Sequence, residues 1–441
     1  MKNCYYVWAV FLLFFSVLNT SAQVEQIEVS ELIPLALGGD ALSQAKLGNA
    51  YWYGEGTEKN YAEAVKWWRK AAEQGLAGAQ LGLGTAYSKG QGVPMNQAEA
   101  VKWWLKAAEQ GNAMAQDKVG GAYWRGEGVG LSQQEALRWW RKAAVQGVSS
   151  SQVSLGMALF RGKGIEENKS EAVEWWLKAA ERGNFLAQAC LGDAFRDGAG
   201  VYQDIDKAVD WYRKASEQGF APAQGNLGDA YWNGVGVDED KSKAVEWYRK
   251  AGWQGLASAQ YSLGNAYQKG LGIQKDAKLA VQCWLPAARN GHAKAQVKLG
   301  EAYRLGSGVP ADLNEALKWY RMSAAQGLAE AQANLGVAYW NGYGVTQDKV
   351  EAVKYYKKAA YQGLAGAQFN VGDAYYSGLG VPANEKEAYI WFCIAKHKGD
   401  AVAARALREY NWSLSEADKQ TALKDAEQRW FAIETGGANL N

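Results

Sequence analysis

The sequence predicts an all-α solenoid of ten consecutive 36-residue helix-turn-helix units with a capping segment at each end. Three observations carry this. An apolar-Gly pair recurs at a constant step, as Leu47-Gly48, Leu83-Gly84, Val119-Gly120 and Leu155-Gly156, through to Val371-Gly372, with no insertion. Apolar residues within each unit keep helical spacing. The 441 residues contain 21 Trp and 51 Gly but only 6 Pro, a bias that points to the same positions used many times.

Units run 40–75, 76–111, 112–147, 148–183, 184–219, 220–255, 256–291, 292–327, 328–363 and 364–399. Positions within a unit are counted from 1, so Asp40 is position 1 of repeat 1. Position 8 is Leu or Val, position 11 is Ala, and position 12 is aromatic except at Leu159. These fall on one face of a first helix, helix A. Gly at 15 and 17, from Gly54 and Gly56 to Gly378 and Gly380, suits a left-handed helix end followed by a turn. Position 21 is Asn, Asp or Ser throughout, from Asn60 to Asn384, and predicts the N-cap of a second helix, helix B. Glu follows three residues later in seven units, at Glu63, Glu99, Glu135, Glu171, Glu315, Glu351 and Glu387, as in a capping box. Helix B then carries Ala at 25, paired rings at 28 and 29 such as Trp67-Trp68 in all but the Cys283 repeat, Ala at 32 in all but Ser323, and a closing Gly. Small residues beside large rings predict close helix packing, so the tryptophan pairs read as core.

At the ends, residues 23–39 read as a degenerate helix B, with Leu32, Leu35, Ala36 and Gly39 at positions 29, 32, 33 and 36. Residues 400–441 read as a helix-A copy, a last helix capped by Ser415 with Asp418, and a frayed tail. Residues 1–22 read as a secretion signal, Lys2 preceding an apolar run from Tyr5 to Leu18 and cleavage expected after Ala22. That run falls short of the ~20 residues that span a membrane, so the mature chain is expected to be exported to a periplasmic or extracellular space without a transmembrane segment. Cys4 lies too near the start to be a lipid-attachment cysteine. The remaining Cys190, Cys283 and Cys393 occupy different repeat positions and offer no disulfide framework.

Units such as Ala79-Gln80-x-x-Leu83-Gly84-x-Ala86-Tyr87-x-x-Gly90-x-Gly92-Val93, followed by Ala100-Val101-x-Trp103-Trp104-x-Lys106-Ala107-Ala108-x-Gln110-Gly111, resemble the Sel-1-like repeat over residues 40–399. The 34-residue tetratricopeptide repeat shares the hairpin but lacks the Gly-x-Gly-Val connection. The resemblance implies a right-handed superhelix with helix A on its concave side, and a role in organising protein complexes. Exported bacterial members with a disulfide in every repeat differ from this chain, which lacks the paired cysteines.

Lys+Arg 48 against Asp+Glu 46 leaves no field suited to nucleic acid. No catalytic, cofactor or metal site is expected. The two histidines, His292 and His397, stand three repeats apart, and no His/Cys cluster has ligand spacing. Ser43-Gln-Ala-Lys46 matches Ser-x-x-Lys, yet it lies inside helix A of repeat 1 with no Lys-Thr-Gly elsewhere, and reads as coincidence.

Projection of helix A places positions 3, 6, 10, 13 and 14 opposite the Leu/Ala/Tyr face, and predicts them exposed. Position 13 holds Trp52, Trp124, Phe160, Trp232, Trp340 and Tyr376, and elsewhere Ser88, Arg196, Gln268 and Arg304. Position 10 adds Asp193, Asp229, Glu301 and Asp373, and position 14 adds Lys89, Arg125 and Arg161. The face therefore leans basic early and acidic later. Ligand contact by the position-13 rings and edge packing on a neighbouring repeat both remain open. The expected activity is binding, of a protein segment held along helix A, with a cell-wall or exported polysaccharide as the alternative and β-lactam-type hydrolysis the least favoured reading.

Overall fold

Every unit folds as expected into two helices, which fill positions 2–14 and 22–34, as in Ala41–Tyr53 and Tyr61–Glu73, save that helix B of repeat 9 ends at Ala360. The computed structural model describes residues 29–436, and these contain twenty-three helices and no strand. The expected signal segment lies outside the described residues.

Local chemistry sets each boundary. The position-21 side chain accepts from the amide three residues on, 3.0 Å at Asn168–Glu171, which satisfies one of the free donors of a helix start. Gly54 ends helix A at φ 78°, its amide donating to Ala50 O at 2.8 Å. The next invariant glycine answers a second need. A Cβ on Gly92 would stand 2.2 Å from the Tyr61 carbonyl at the start of the preceding helix B, so the turn and that helix meet backbone to backbone.

The capping box expected in the repeats takes a different form. The N-cap half of it forms, but five of the seven glutamates turn to cations one helical turn on, as in Glu99–Lys102 at 3.2 Å and Glu351–Lys354 at 2.9 Å. The reciprocal pair is present at Ser415 and Asp418, which open the last helix.

The chain divides into two compact units, residues 1–184 and 185–441. The described part of the first holds an N-terminal helix, Val29–Leu37, and four hairpins. The second holds six hairpins and two further helices, Ala401–Glu409 and Glu416–Glu434. Within each unit, hairpins stack so that helix B of one lies against helix A of the next. Leu at position 8 is fully buried at Leu47, Leu83 and Leu227, and Ala at 25 is buried throughout. Gly at position 9 lets the position-29 ring close on helix A. A Cβ on Gly120 would stand 2.5 Å from Cδ1 of Trp140. The tryptophans of both ring positions are core residues except the half-buried Trp211 and Trp247, Trp67 and Trp68 being 7% and 4% exposed.

A buried polar ladder binds neighbouring repeats. Gln at position 5 of most repeats donates its amide to the position-33 carbonyl of the repeat before, as Gln80 to Ala72 O at 3.1 Å and Gln296 to Ala288 O at 3.0 Å. Its Oε1 accepts from Gln at position 35 of its own repeat, at 2.8 Å from Gln110 to Gln80 and from Gln326 to Gln296. Each such glutamine thereby satisfies a carbonyl at the end of the previous helix B. Where position 35 is Arg182, Asn290 or Lys398, the Oε1 of Gln152, Gln260 or Gln368 is buried without a partner.

Of the N-terminal segment, Leu32 and Ala36 are buried, but Leu35 is 53% exposed, because this half-repeat has no helix A of its own to cover it. The last helix docks on helix B of repeat 10, burying Ala422, Ala426 and Ile433. Arg429 clasps Glu387 there with bonds of 2.7 and 3.1 Å.

Candidate functional site

Helix A places positions 10 and 13 one turn apart, both above the position-29 ring of helix B in the same repeat. The position-13 rings, expected to be solvent-exposed, are not. Trp52 is buried at 9% exposure, and Trp124, Phe160, Trp232, Trp340 and Tyr376 are half-buried. Their cover is internal. Trp52, Trp124 and Phe160 lie 4.8, 5.1 and 5.2 Å from Trp68, Trp140 and Trp176, and Trp232 and Trp340 lie 6.0 Å from Tyr248 and Tyr356. Tyr376 packs on Tyr410 at 4.4 Å. Lysines at position 22 close over three of them, Lys169 on Phe160, Lys241 on Trp232 and Lys349 on Trp340, at 5.6, 4.8 and 4.0 Å. Lys241 and Lys349 also donate to the carbonyls of Trp232 and Trp340. Packing is therefore on the second helix of the same repeat for all but Tyr376.

Position 10 is organised by the same ring position. Trp68 Nε1 donates to Asn49 at 3.0 Å. The Tyr212 and Tyr248 hydroxyls donate to Asp193 and Asp229 at 2.7 Å, and Tyr410 donates to Asp373 at 3.3 Å. Asp193 also pairs with Arg196 at 3.0 Å, and Glu301 with Lys298 at 2.8 Å. Two of the four expected acidic contacts are thus neutralised on their own helix, which weakens the acidic lean of repeats 5–10. Asp229 has no such cation. It is exposed along one edge, yet the surrounding helix-A floor desolvates its carboxyl and pushes its pKa up, against the opposing bond from Tyr248. Cations at position 14, Lys89, Arg125 and Arg161, stand exposed.

The remaining candidates have structural roles. Ser43 is 6% exposed in the first turn of repeat 1, its amide on Asp40 at 2.7 Å. His292 caps helix A of repeat 8, Nδ1 accepting from Ala295 N at 3.2 Å, with its ring against Tyr261. His397 packs on Trp430 beside a cavity of about 530 Å³ under the last helix. Cys190, Cys283 and Cys393 are unbridged, and burial pushes the Cys283 and Cys393 thiols up to about 11. Among the described residues no His/Cys/Asp/Glu group is arranged to hold a metal, and no helix is long and apolar enough to cross a membrane.

Stacked hairpins sharing one packing code, with a variable face on helix A, define an α-solenoid scaffold. The Sel1 repeat matches residues 41–76, 77–112, 113–148, 149–184, 186–220, 221–255, 257–292, 293–328, 329–364 and 365–400, and the chain belongs to the Sel1 repeat family. Proteins of this family are in general protein-interaction scaffolds and typically non-catalytic. The crystal structure of a protective antigen present in uropathogenic Escherichia coli strains, displaying an SLR fold, is similar at 30% identity and TM-score 0.64, over 94% of this chain and 99% of that one. A Sel1 repeat protein from Oxalobacter formigenes is 33% identical with TM-score 0.55, over 74% of this chain and 92% of that one. No curated protein sequence matches the chain.

Proposed function

We propose that the protein is a non-catalytic adaptor that holds a segment of a partner protein along the helix-A face. The observation that carries this is Asp229. A buried tyrosine hydroxyl fixes its carboxylate at 2.7 Å while the residue stays exposed and has no cation beside it on its own helix. A polar group oriented in advance loses little freedom on binding, and a desolvated one gains most from an incoming charge. In the first unit, Tyr53, Arg125 and Arg161 at position 14 stand exposed on their own helices A.

Affinity capture with identification of bound proteins by mass spectrometry tests the assignment. Asp229→Asn is expected to weaken capture of the bound partner. Trp253→Ser, a change on helix B at a ring that is 82% exposed, is expected to leave capture intact. Equal effects of both changes would sink the reading. We further assign residues 1–22 as an export signal, and a mature N-terminus at Gln23 in mass spectrometry is the expected result.

A further inference from the structure

Positions 10, 13 and 29 form a trio in each repeat, and in repeat 5 the chain supplies every part of it. Tyr212 donates its hydroxyl to Asp193 Oδ1 at 2.7 Å, and Arg196 Nη1 reaches the same oxygen at 3.0 Å. One carboxylate thus sits between a phenol and a guanidinium.

Repeat 8 holds the same types, Glu301, Arg304 and Tyr320, but the carboxylate is missing from its place. Glu301 turns along its own helix to Lys298 at 2.8 Å. The Tyr320 hydroxyl, in a residue 2% exposed, has only the donor Arg304 beside it, so its own proton is left buried without an acceptor. A buried donor with no acceptor is a costly arrangement that an arriving acceptor relieves. Arg304 stands beside it, exposed and in no ion pair with a described residue. Burial holds the Tyr320 phenol above its ordinary pKa, so it remains a neutral donor.

These groups open on a cavity of about 270 Å³ between repeats 8 and 9, where Asn334 adds an amide and Leu313, Leu317 and Val337 make apolar walls. Repeat 9 places Val337 at its own position 10, so it brings no carboxylate. With Glu301 neutralised by Lys298, the uncompensated charge at the cavity is the Arg304 cation.

We propose that this cavity receives the C-terminal end of a bound polypeptide, an apolar last residue whose free carboxylate takes the place that Asp193 fills in repeat 5. A carboxylate and an apolar side chain on one Cα match a donor pair beside an apolar wall, whereas an Asp or Glu side chain would leave the wall empty. The inference rests on the helix-A face being the binding face.

Calorimetric titration of the full chain with acetyl-Gly-Leu, as free acid and as amide, tests it. The acid is expected to bind with a Kd on the order of 1 mM, and the amide about tenfold more weakly. Tyr320→Phe keeps the ring packed on Gly300 and removes the hydroxyl; Arg304→Gln removes the charge. Each is expected to lower affinity for the acid about tenfold at an unchanged unfolding midpoint. Lys298→Met, which releases Glu301 toward Tyr320, is expected to weaken binding as well. Equal affinity for acid and amide, no binding of the acid, or full affinity in Tyr320→Phe would overturn the proposal. Partner capture that persists in Tyr320→Phe but falls in Asp229→Asn would remove this cavity from the account and leave the helix-A reading standing.

Discussion

Gln74 donates to the buried Oε1 of Gln44 at 2.8 Å, while Gln44 donates to Ala36 O at 3.0 Å, so one side chain joins three helices. The same bonds recur at Gln116, with Gln146 and Ala108 as partners. Gln116→Leu keeps the volume and strands both partners. It is expected to lower stability by about 1–3 kcal/mol in urea denaturation, and no loss would show that the rung is ornamental to the fold.

The broken rungs predict the opposite change. Asn290 leaves Gln260 Oε1 unpartnered. Asn290→Gln adds the methylene that position 35 has in most repeats, and is expected to raise stability by about 1 kcal/mol. A shift of the unfolding midpoint to higher denaturant checks it.

Two glycine-to-alanine changes should differ in sign. Gly120→Ala drives a methyl into Trp140, 2.5 Å away, and is expected to destabilise by about 1–3 kcal/mol. Gly78, also helical, has nothing within 4 Å of its Cβ position, so Gly78→Ala is expected to stabilise by up to about 1 kcal/mol. Parallel thermal melts decide both.

His292 gives repeat 8 a pH dependence. Burial first, then the Lys294 charge, lowers its pKa from the ordinary 6.5. The unfolded chain therefore takes the proton before the fold does. The stabilisation is complete above pH 6.5 and is lost as pH falls below that through the folded pKa. Protonation also removes the Nδ1 acceptor from Ala295 and sets a cation at a helix start. His292→Asn keeps a capping acceptor, so the stability difference between wild type and variant should change between pH 7 and pH 5. A constant difference would exclude the mechanism.

Trp232 separates packing from recognition. With Tyr248 on one side and Lys241 over it, Trp232→Ala is expected to cost about 2–3 kcal/mol. Partner binding, measured well below the melting temperature, should fall less than in Asp229→Asn. A larger fall would return the ring to the binding surface.

The period made the helices, the position-21 caps and the core tryptophans legible, because each depends on residues within one turn or on a position repeated ten times. Position 13 misled for a physical reason. A helical projection contains only its own helix, whereas the ring's neighbours stand 9 and 16 residues further on, across the turn. The matched choices are visible once that register is known. Lys occupies position 22 only in repeats 4, 6 and 9, each with a ring at 13. Carboxylates at position 10 accompany Tyr at position 29 in repeats 5, 6 and 8, and in repeats 5 and 6 they bond to it, Asp193 to Tyr212 and Asp229 to Tyr248. Part of the variation thus follows the partner residues at positions 22 and 29. The glutamine of position 5 was visible as invariant, but its burial follows from the end of the preceding helix B, which supplies the carbonyl it satisfies.

Because each rung of the glutamine ladder reaches no further than the preceding hairpin, a hairpin can be inserted or removed as a whole without rewriting the bonds of those that remain. Array length is then adjustable in steps of one hairpin, and each step adds or deletes one position-10, position-13 and position-29 trio. The number of these trios is set by duplication, and the chemistry of each by as few as three side chains.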